Sequence, residues 1–469
     1  MAVTELKPFP APIPLKKILG PSFIILALGL GSGEVILWPY LSANFGLGIA
    51  WGAFLGITFQ YFINMEIERY ALIKGESVFV GLNKIFSWTA YWFIISTFIG
   101  FGLPGIVAAS AEVFAYIFGL ASFKWVAIIF LVAIGLIISL GKTVYEMMEG
   151  ITKTIIFLGI PFIVVLAIIL SHNTDWLALG QGLIGIGDNY YFLPAGISLA
   201  TFLAAFAYSG AGGNLNLTQS IYIKEKGYGM GKYSQKISGL FKNLKEKQHI
   251  ELAGQNFELN ESNIKNFKAW WRKINIEHLA VFWFIGLVGI SVLMILAFST
   301  AFGLANNSQG INFVINEGVI IGQKILPWVG TLFLLVVAVM LFQTQLGILD
   351  STSRIMAENA ALKKIAKTGK KEINLSKIYF LFLWAQIGFG VILFLLNFYE
   401  PKSLIILGAV INAVAMFVHI GLVNVMNYKL LPKALQPGLL RRLVIIFIFL
   451  FFGGFSAITI WDSILSKIF

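Results

Sequence analysis

The chain has 469 residues; 58% are hydrophobic and only 12% are Asp, Glu, Lys or Arg, and the mean hydropathy is +0.84. A soluble domain of this length needs far more charge to cover its surface, so a soluble enzyme, a disordered chain and a small secreted scaffold are all excluded. Cysteine is absent, which removes disulfides, thiol chemistry and Cys–zinc sites, and the formal charge of +12 belongs in loops, where it reports topology rather than nucleic-acid binding.

Residues 1–19 read as a Pro-broken, basic cytoplasmic tail without the apolar core and cleavage site of a signal peptide. Apolar segments then recur at 20–42, 48–72, 88–118, 123–141, 147–170, 193–221, 277–302, 325–350, 377–397, 403–428 and 441–464. Each approaches or exceeds the roughly 20 residues a membrane-crossing helix needs. They are continuously apolar rather than alternating, which argues against a β-barrel. The basic residues Lys16, Lys17, Arg69, Lys74, Lys84, Lys142, Arg354, Lys363, Lys364, Lys367, Lys370, Lys371, Lys429, Lys433, Arg441 and Arg442 all fall on one side of the eleven-span count. The opposite loops are nearly free of positive charge. This positive-inside pattern predicts a cytoplasmic N-terminus and an extracytoplasmic C-terminus in the cell membrane. The polar stretch 224–275 becomes a cytoplasmic insertion, read as a solvated linker with surface helices. Its "WWRK", Trp270 to Lys273, is a second-rank candidate for anionic lipid.

Two spans are unlike the rest. In the first, Gly29, Gly31 and Gly33 surround Ser32, and Glu34 follows. In the sixth, Ser209, Gly210, Ala211, Gly212 and Gly213 precede Asn214. Glycine costs helix stability and permits backbone excursions, and non-helical backbone at membrane depth is tolerated only in buried or cavity-lining positions. Glycine also serves close helix packing, but two clusters with polar residues, each near the start of a five-span unit, favour a binding site. We therefore expect an all-α polytopic protein with a first five-helix repeat over 20–170, an inverted second repeat over 193–428 and an additional eleventh helix over 441–469. Spans one and six would be unwound at mid-span, and residues 29, 31–34 and 209–214 would form the substrate site.

Ionisable residues inside spans are costly and mark function by default. Glu34 is the candidate cation ligand or proton carrier, with capping of a half-helix as the structural alternative. Glu112, Thr218, Gln219 and His419 are candidate proton or pathway residues. His419 shares its span with Asn412 and Asn424, and a packing role suits it at least as well. Glu66, Glu68 and Arg69 read as a salt-linked anchor, Glu149 and Lys153 as an ordinary helix pair, and Asp350 as the cap of a separate short helix. No nucleotide-binding or catalytic constellation accompanies them, so no enzyme activity and no cofactor are expected.

"GPSFIILALGLGSGE" at 20–34, "FQYFINMEIERYALIKGES" at 59–77, "AEVFAYIFGL" at 111–120, "YEMMEG" at 145–150 and "GGNLNLTQS" at 212–220 together resemble the natural resistance-associated macrophage protein (Nramp) family of divalent metal transporters. The resemblance implies a LeuT-type fold with alternating access. The family's metal-binding motifs are altered. Its first-helix Asp-Pro-Gly-Asn is Gly31, Ser32, Gly33 and Glu34 here, and its Met-Pro-His is Ala211, Gly212 and Gly213. The family histidine of the inner half-helix falls at Thr218, and one third-helix carboxylate falls at Ala109, while Glu112 is retained. Manganese and iron favour compact carboxylate, amide and sulfur ligands; this set lacks the sulfur and is expected to be roomier. A magnesium-like or atypical divalent cation, retaining water, is thus the leading expected cargo, with protons as coupling partner. A small amine or amino acid-like solute on the same scaffold is the alternative, and a non-transporting sensor the third reading. The expected partners are the bilayer and the transported species, with nucleic acid excluded and the oligomeric state left open.

Overall fold

The computed structural model describes residues 6–140, 143–238, 240, 249–304, 307, 311–370 and 372–463. Lys142, Lys371, the Lys16 side chain and residues 464–469 of the eleventh-helix segment lie outside the described residues. Among the described residues the architecture is all-α apart from two short antiparallel ladders, Ile186–Gly187 with Tyr190–Tyr191 and Ile250–Glu251 with Glu372–Ile373.

Among the described residues, ten helices are long and apolar enough to cross a membrane: Pro21–Phe45, Leu47–Lys74, Thr89–Ile117, Phe123–Leu140, Val144–Leu170, Glu261–Ala301, Pro327–Thr368, Leu375–Leu395, Pro401–Leu430 and Leu439–Ile458. The segment expected as the sixth span forms two helical pieces, Leu199–Ala207 and Thr218–Lys226, each of nine residues and too short to span alone. The first and sixth spans are almost wholly buried, whereas Ile129, Leu136, Leu158, Leu381 and Phe447 on the fourth, fifth, ninth and eleventh helices face outward. That apolar outer surface is what hydrocarbon would cover.

Three elements differ from expectation. The third span is itself interrupted, into Thr89–Phe101 and Gly105–Ile117, where Pro104 has no backbone N–H to donate. The eighth helix does not stop at Asp350 but continues through 42 residues to Thr368. Its polar continuation is buried and paired: Arg354 Nε donates to Asp350 Oδ1 at 2.8 Å, Arg354 Nη1 to Glu225 Oε1 at 2.8 Å and Lys224 Nζ to Glu358 Oε1 at 3.1 Å. Tyr222 and Tyr379 donate to the same Asp350 carboxylate at 3.1 and 2.7 Å. Asp350 is therefore a mid-helix ion-pair partner and not the cap of a separate helix.

The seventh helix begins inside the insertion, at Glu261, and runs 41 residues to Ala301 through a π-helical stretch, Leu279–Ile285. Phe267, Trp270 and Ile274 on its first half are buried. Trp270 Nε1 donates to the Pro10 carbonyl at 3.0 Å and Lys273 Nζ to that of Ile13 at 2.7 Å, while Phe9 N donates to Asn263 Oδ1 at 3.1 Å. The insertion is thus partly a docking arm for the N-terminal tail, and Trp270 packs on protein rather than facing lipid.

Candidate transport site

The two glycine clusters meet. In the first span the chain leaves helical geometry at Leu30 (ψ 33°) and Gly31 (φ −137°) and resumes as a π-helical turn, Ser32–Leu37. The distortion is a kink with a widened turn rather than an open gap. In the sixth span the interruption is complete: Gly212 and Gly213 take φ values of 72° and 52°, which residues with a side chain rarely adopt. A Cβ on Gly33 would collide with the Tyr208 carbonyl oxygen, and one on Gly29 would lie 2.6 Å from the Gly210 carbonyl carbon. The small residues bring the two backbones into contact. They do not open the roomier cavity that replacing larger side chains led us to expect.

Side chains from four other spans close over the crossing. Gln60 of the second helix spans it: its Nε2 donates to the Ala207 carbonyl at 3.0 Å, and its Oε1 accepts from Gly212 N–H at 3.0 Å. Backbone groups freed by unwinding must find such partners in a dry interior. Asn214 Nδ2 donates to Ser96 Oγ and Thr97 Oγ1 of the third span at 2.8 and 3.0 Å. Asn412 Nδ2, from the tenth, donates to the Gly100 carbonyl and Tyr208 Oη, both at 2.9 Å. Thr344 of the eighth donates to the Ala27 carbonyl at 3.1 Å. Gly286 of the seventh lines the opposite side of the first span.

The expected site residues divide into groups. Gly29, Gly31, Ser32, Gly33, Gly210, Ala211, Gly212, Gly213 and Asn214 are all buried at the crossing. Ser209 is there too, but its hydroxyl is already engaged, accepting from Trp38 Nε1 at 2.8 Å and donating to the Ala205 carbonyl at 3.1 Å. Glu34 is fully buried, and both carboxylate oxygens lack a hydrogen bond. It points to the seventh helix, where a Cβ on Gly286 would lie 3.8 Å from its Oε1 with Ile57 and Leu26 alongside. Among the described residues no group of three or more His, Asp or Glu side chains converges as a metal would require. Glu112 is only half-buried and lies within electrostatic reach of Glu400 at the start of the tenth helix. Thr218 donates to the Leu215 carbonyl and opens the second half-helix, and Gln219 turns to Glu68. His419 is buried two turns beyond Asn412, with no hydrogen bond at Nε2.

The unpaired polar groups around the sixth-span break are neutral amides. Asn214 Oδ1 and Asn412 Oδ1 are buried without partners, as are both polar atoms of Asn216. Beside them a cavity of about 10 Å³, room for a single water, is lined by Gly100, Phe101, Leu103, Tyr208, Gln345 and Gly408 among others. Gln60, Ser96, Thr97, Tyr208 and Thr344 were not legible as site residues; a lone polar residue in an apolar helix reads as packing. Only the "LPG" at 103–105 offered a sequence signal, for the third interruption.

No protein-family model matches the chain, and no curated protein sequence matches it. Solved structures do. A manganese transporter of Eremococcus coleocola, in complex with an aromatic bis-isothiourea substituted compound, superposes with a TM-score of 0.67 at 11% identity, over 98% of this chain and 90% of that one. A mutant of the same transporter gives 0.56 at 12% identity, covering 98% of both chains. MhsT in complex with L-phenylalanine gives 0.54 at 14%, over 94% of this chain and 98% of that one. The fold is thus the LeuT-type arrangement of membrane transporters.

Proposed function

We propose that the chain is a secondary transporter that works by alternating access around the crossing of its first and sixth spans, with spans one to five and six to ten as inverted units. The observation that carries this is the sixth-span break, held open in its backbone by Gln60 and lined by unpaired amide oxygens. Broken helices at the centre of this fold supply free backbone and amide dipoles to a cargo. A divalent cation that keeps part of its water shell is the leading cargo: amide oxygens and Glu34 would meet it through water rather than as a tight metal cage. The resemblance to a manganese transporter supports a cation, and the altered ligands oppose manganese or iron in particular. A small amine or amino acid-like solute is the second reading, favoured by the neutral character of the unpaired amides and by the likeness to MhsT. In this reading the N-terminus and the insertion lie on the cytoplasmic side, as the grouping of basic residues supports.

Reconstitution in liposomes tests the reading. Uptake of magnesium, manganese, small amines and L-phenylalanine is measured with and without a pH gradient. We expect saturable flux of one class, and Glu34→Gln, which keeps shape and burial, to reduce that flux at least tenfold without loss of folded protein. Ligand binding without any flux would replace transport with sensing, and wild-type flux in the variant would remove Glu34 from the pathway.

A further inference from the structure

A second polar centre lies outside the crossing, at the N-terminal end of the first span. Ser22 sits in the first turn after Pro21. Its Oγ donates to Glu277 Oε2 at 2.5 Å and lies 2.7 Å from His278 Nδ1. The same Nδ1 is 3.2 Å from Glu68 Oε1, which also accepts from Gln219 Nε2 at 2.6 Å. Glu277, Ser22, His278, Glu68 and Gln219 thus form one hydrogen-bonded chain across the first, second, sixth and seventh spans. All five are buried, with 3% exposure at most. The imidazole is stacked between Tyr61 and Phe282, with ring centroids 5.6 and 4.7 Å away.

The hydrogens can be counted. Ser22 has one, and it goes to Glu277. Its contact with His278 therefore needs a hydrogen on Nδ1, which leaves Nε2 bare in the neutral ring. Glu68 Oε2, Glu277 Oε1, His278 Nε2 and Gln219 Oε1 are buried with no partner. With both carboxylates ionised, the cluster holds two negative charges in a dry site. The neighbouring cations reach the cluster only through space, each being bonded to another carboxylate: Lys153 and Lys226 bond Glu149 at 2.5 and 2.7 Å, and Arg441 bonds Glu66 at 3.3 Å. The other titratable groups facing the cluster are Tyr61 of the second span, Tyr145 of the fifth and Tyr228 after the sixth. None supplies positive charge. Two nearby carboxylates without a counter-charge do not both stay ionised.

We propose that Ser22, Glu68, Glu277 and His278 form a proton-binding site in which the two carboxylates share one proton, taken from water on the side of the N-terminus. The bound proton latches the start of the first span to the second and seventh helices, and its release frees that end to move. The coupling role rests on the transport reading; the proton site itself does not.

Infrared difference spectroscopy of the protein in lipid nanodiscs, without any cargo, reads the proton directly. At neutral pH the wild type should show a protonated-carboxyl C=O band that either Glu68→Gln or Glu277→Gln removes. Neutralising one carboxylate lets the other ionise, so both variants lose the same band. Ser22→Ala keeps both acids and should shift the pH midpoint of the band by at least one unit, which guards against a Gln variant that fails to fold. A band unchanged in either Gln variant, or an unshifted midpoint in Ser22→Ala, overturns the site. Flux is measured separately in liposomes. No flux in the wild type with a titrating band would sink transport and leave the proton site standing.

Discussion

Gln60 does more for the sixth span than any residue within it. It supplies both a donor and an acceptor to backbone groups that unwinding strips of their helical partners. Gln60→Leu, similar in bulk, leaves the Ala207 carbonyl and the Gly212 N–H unpaired, at about 1–3 kcal/mol each. We expect a clear fall in the thermal unfolding midpoint of the purified protein, whereas a variant as stable as wild type would mean that the break needs no such bridge. Gln60 was illegible in sequence because its role depends on residues about 150 positions away. Glu34 was legible, since a carboxylate inside an apolar span announces itself, yet its direction was not. The structure turns it toward Gly286.

At the scale of elements, the glycine clusters coincide with irregular backbone in the first and sixth spans but misled about space. The spacing of Gly29 and Gly33 reads equally as a cavity wall or as a packing seam; the contacts of both with the sixth-span backbone make it a seam. Gly33→Ala should therefore fold poorly, because its Cβ meets a backbone carbonyl that has no rotamer to escape with. Thermal unfolding and the yield of monodisperse protein check this, and an alanine variant of normal stability would show that the crossing is loose. The ends of the seventh and eighth helices were hidden for another reason. Hydropathy ends a span where charge begins, but Arg354, Glu358 and Trp270 continue their helices because other segments bury them.

For the whole molecule, the apolar composition was enough for an all-α, multi-span fold, and ten helices among the described residues are long and apolar enough to cross a membrane. The sidedness follows from charge alone and can be checked without background, since the native chain has no cysteine. Single cysteines at Ser234 and Gln255 should be labelled by a membrane-impermeant maleimide only after cells are opened, and one at Asn189 in intact spheroplasts. The reverse pattern would invert the topology.

The seventh helix also has a mechanical meaning. At 41 residues and 1.5 Å per residue it is a rod of about 60 Å, twice the hydrocarbon thickness. The tail grips one end through Asn263, Trp270 and Lys273. His278 and Gly286 mark two stations further along, about 12 Å apart, with the π-helical stretch between them as a joint in the rod. A torque applied at the tail would thus reach the acid pair before the joint and the Glu34 wall after it, so the joint sets how much of the motion at one station arrives at the other.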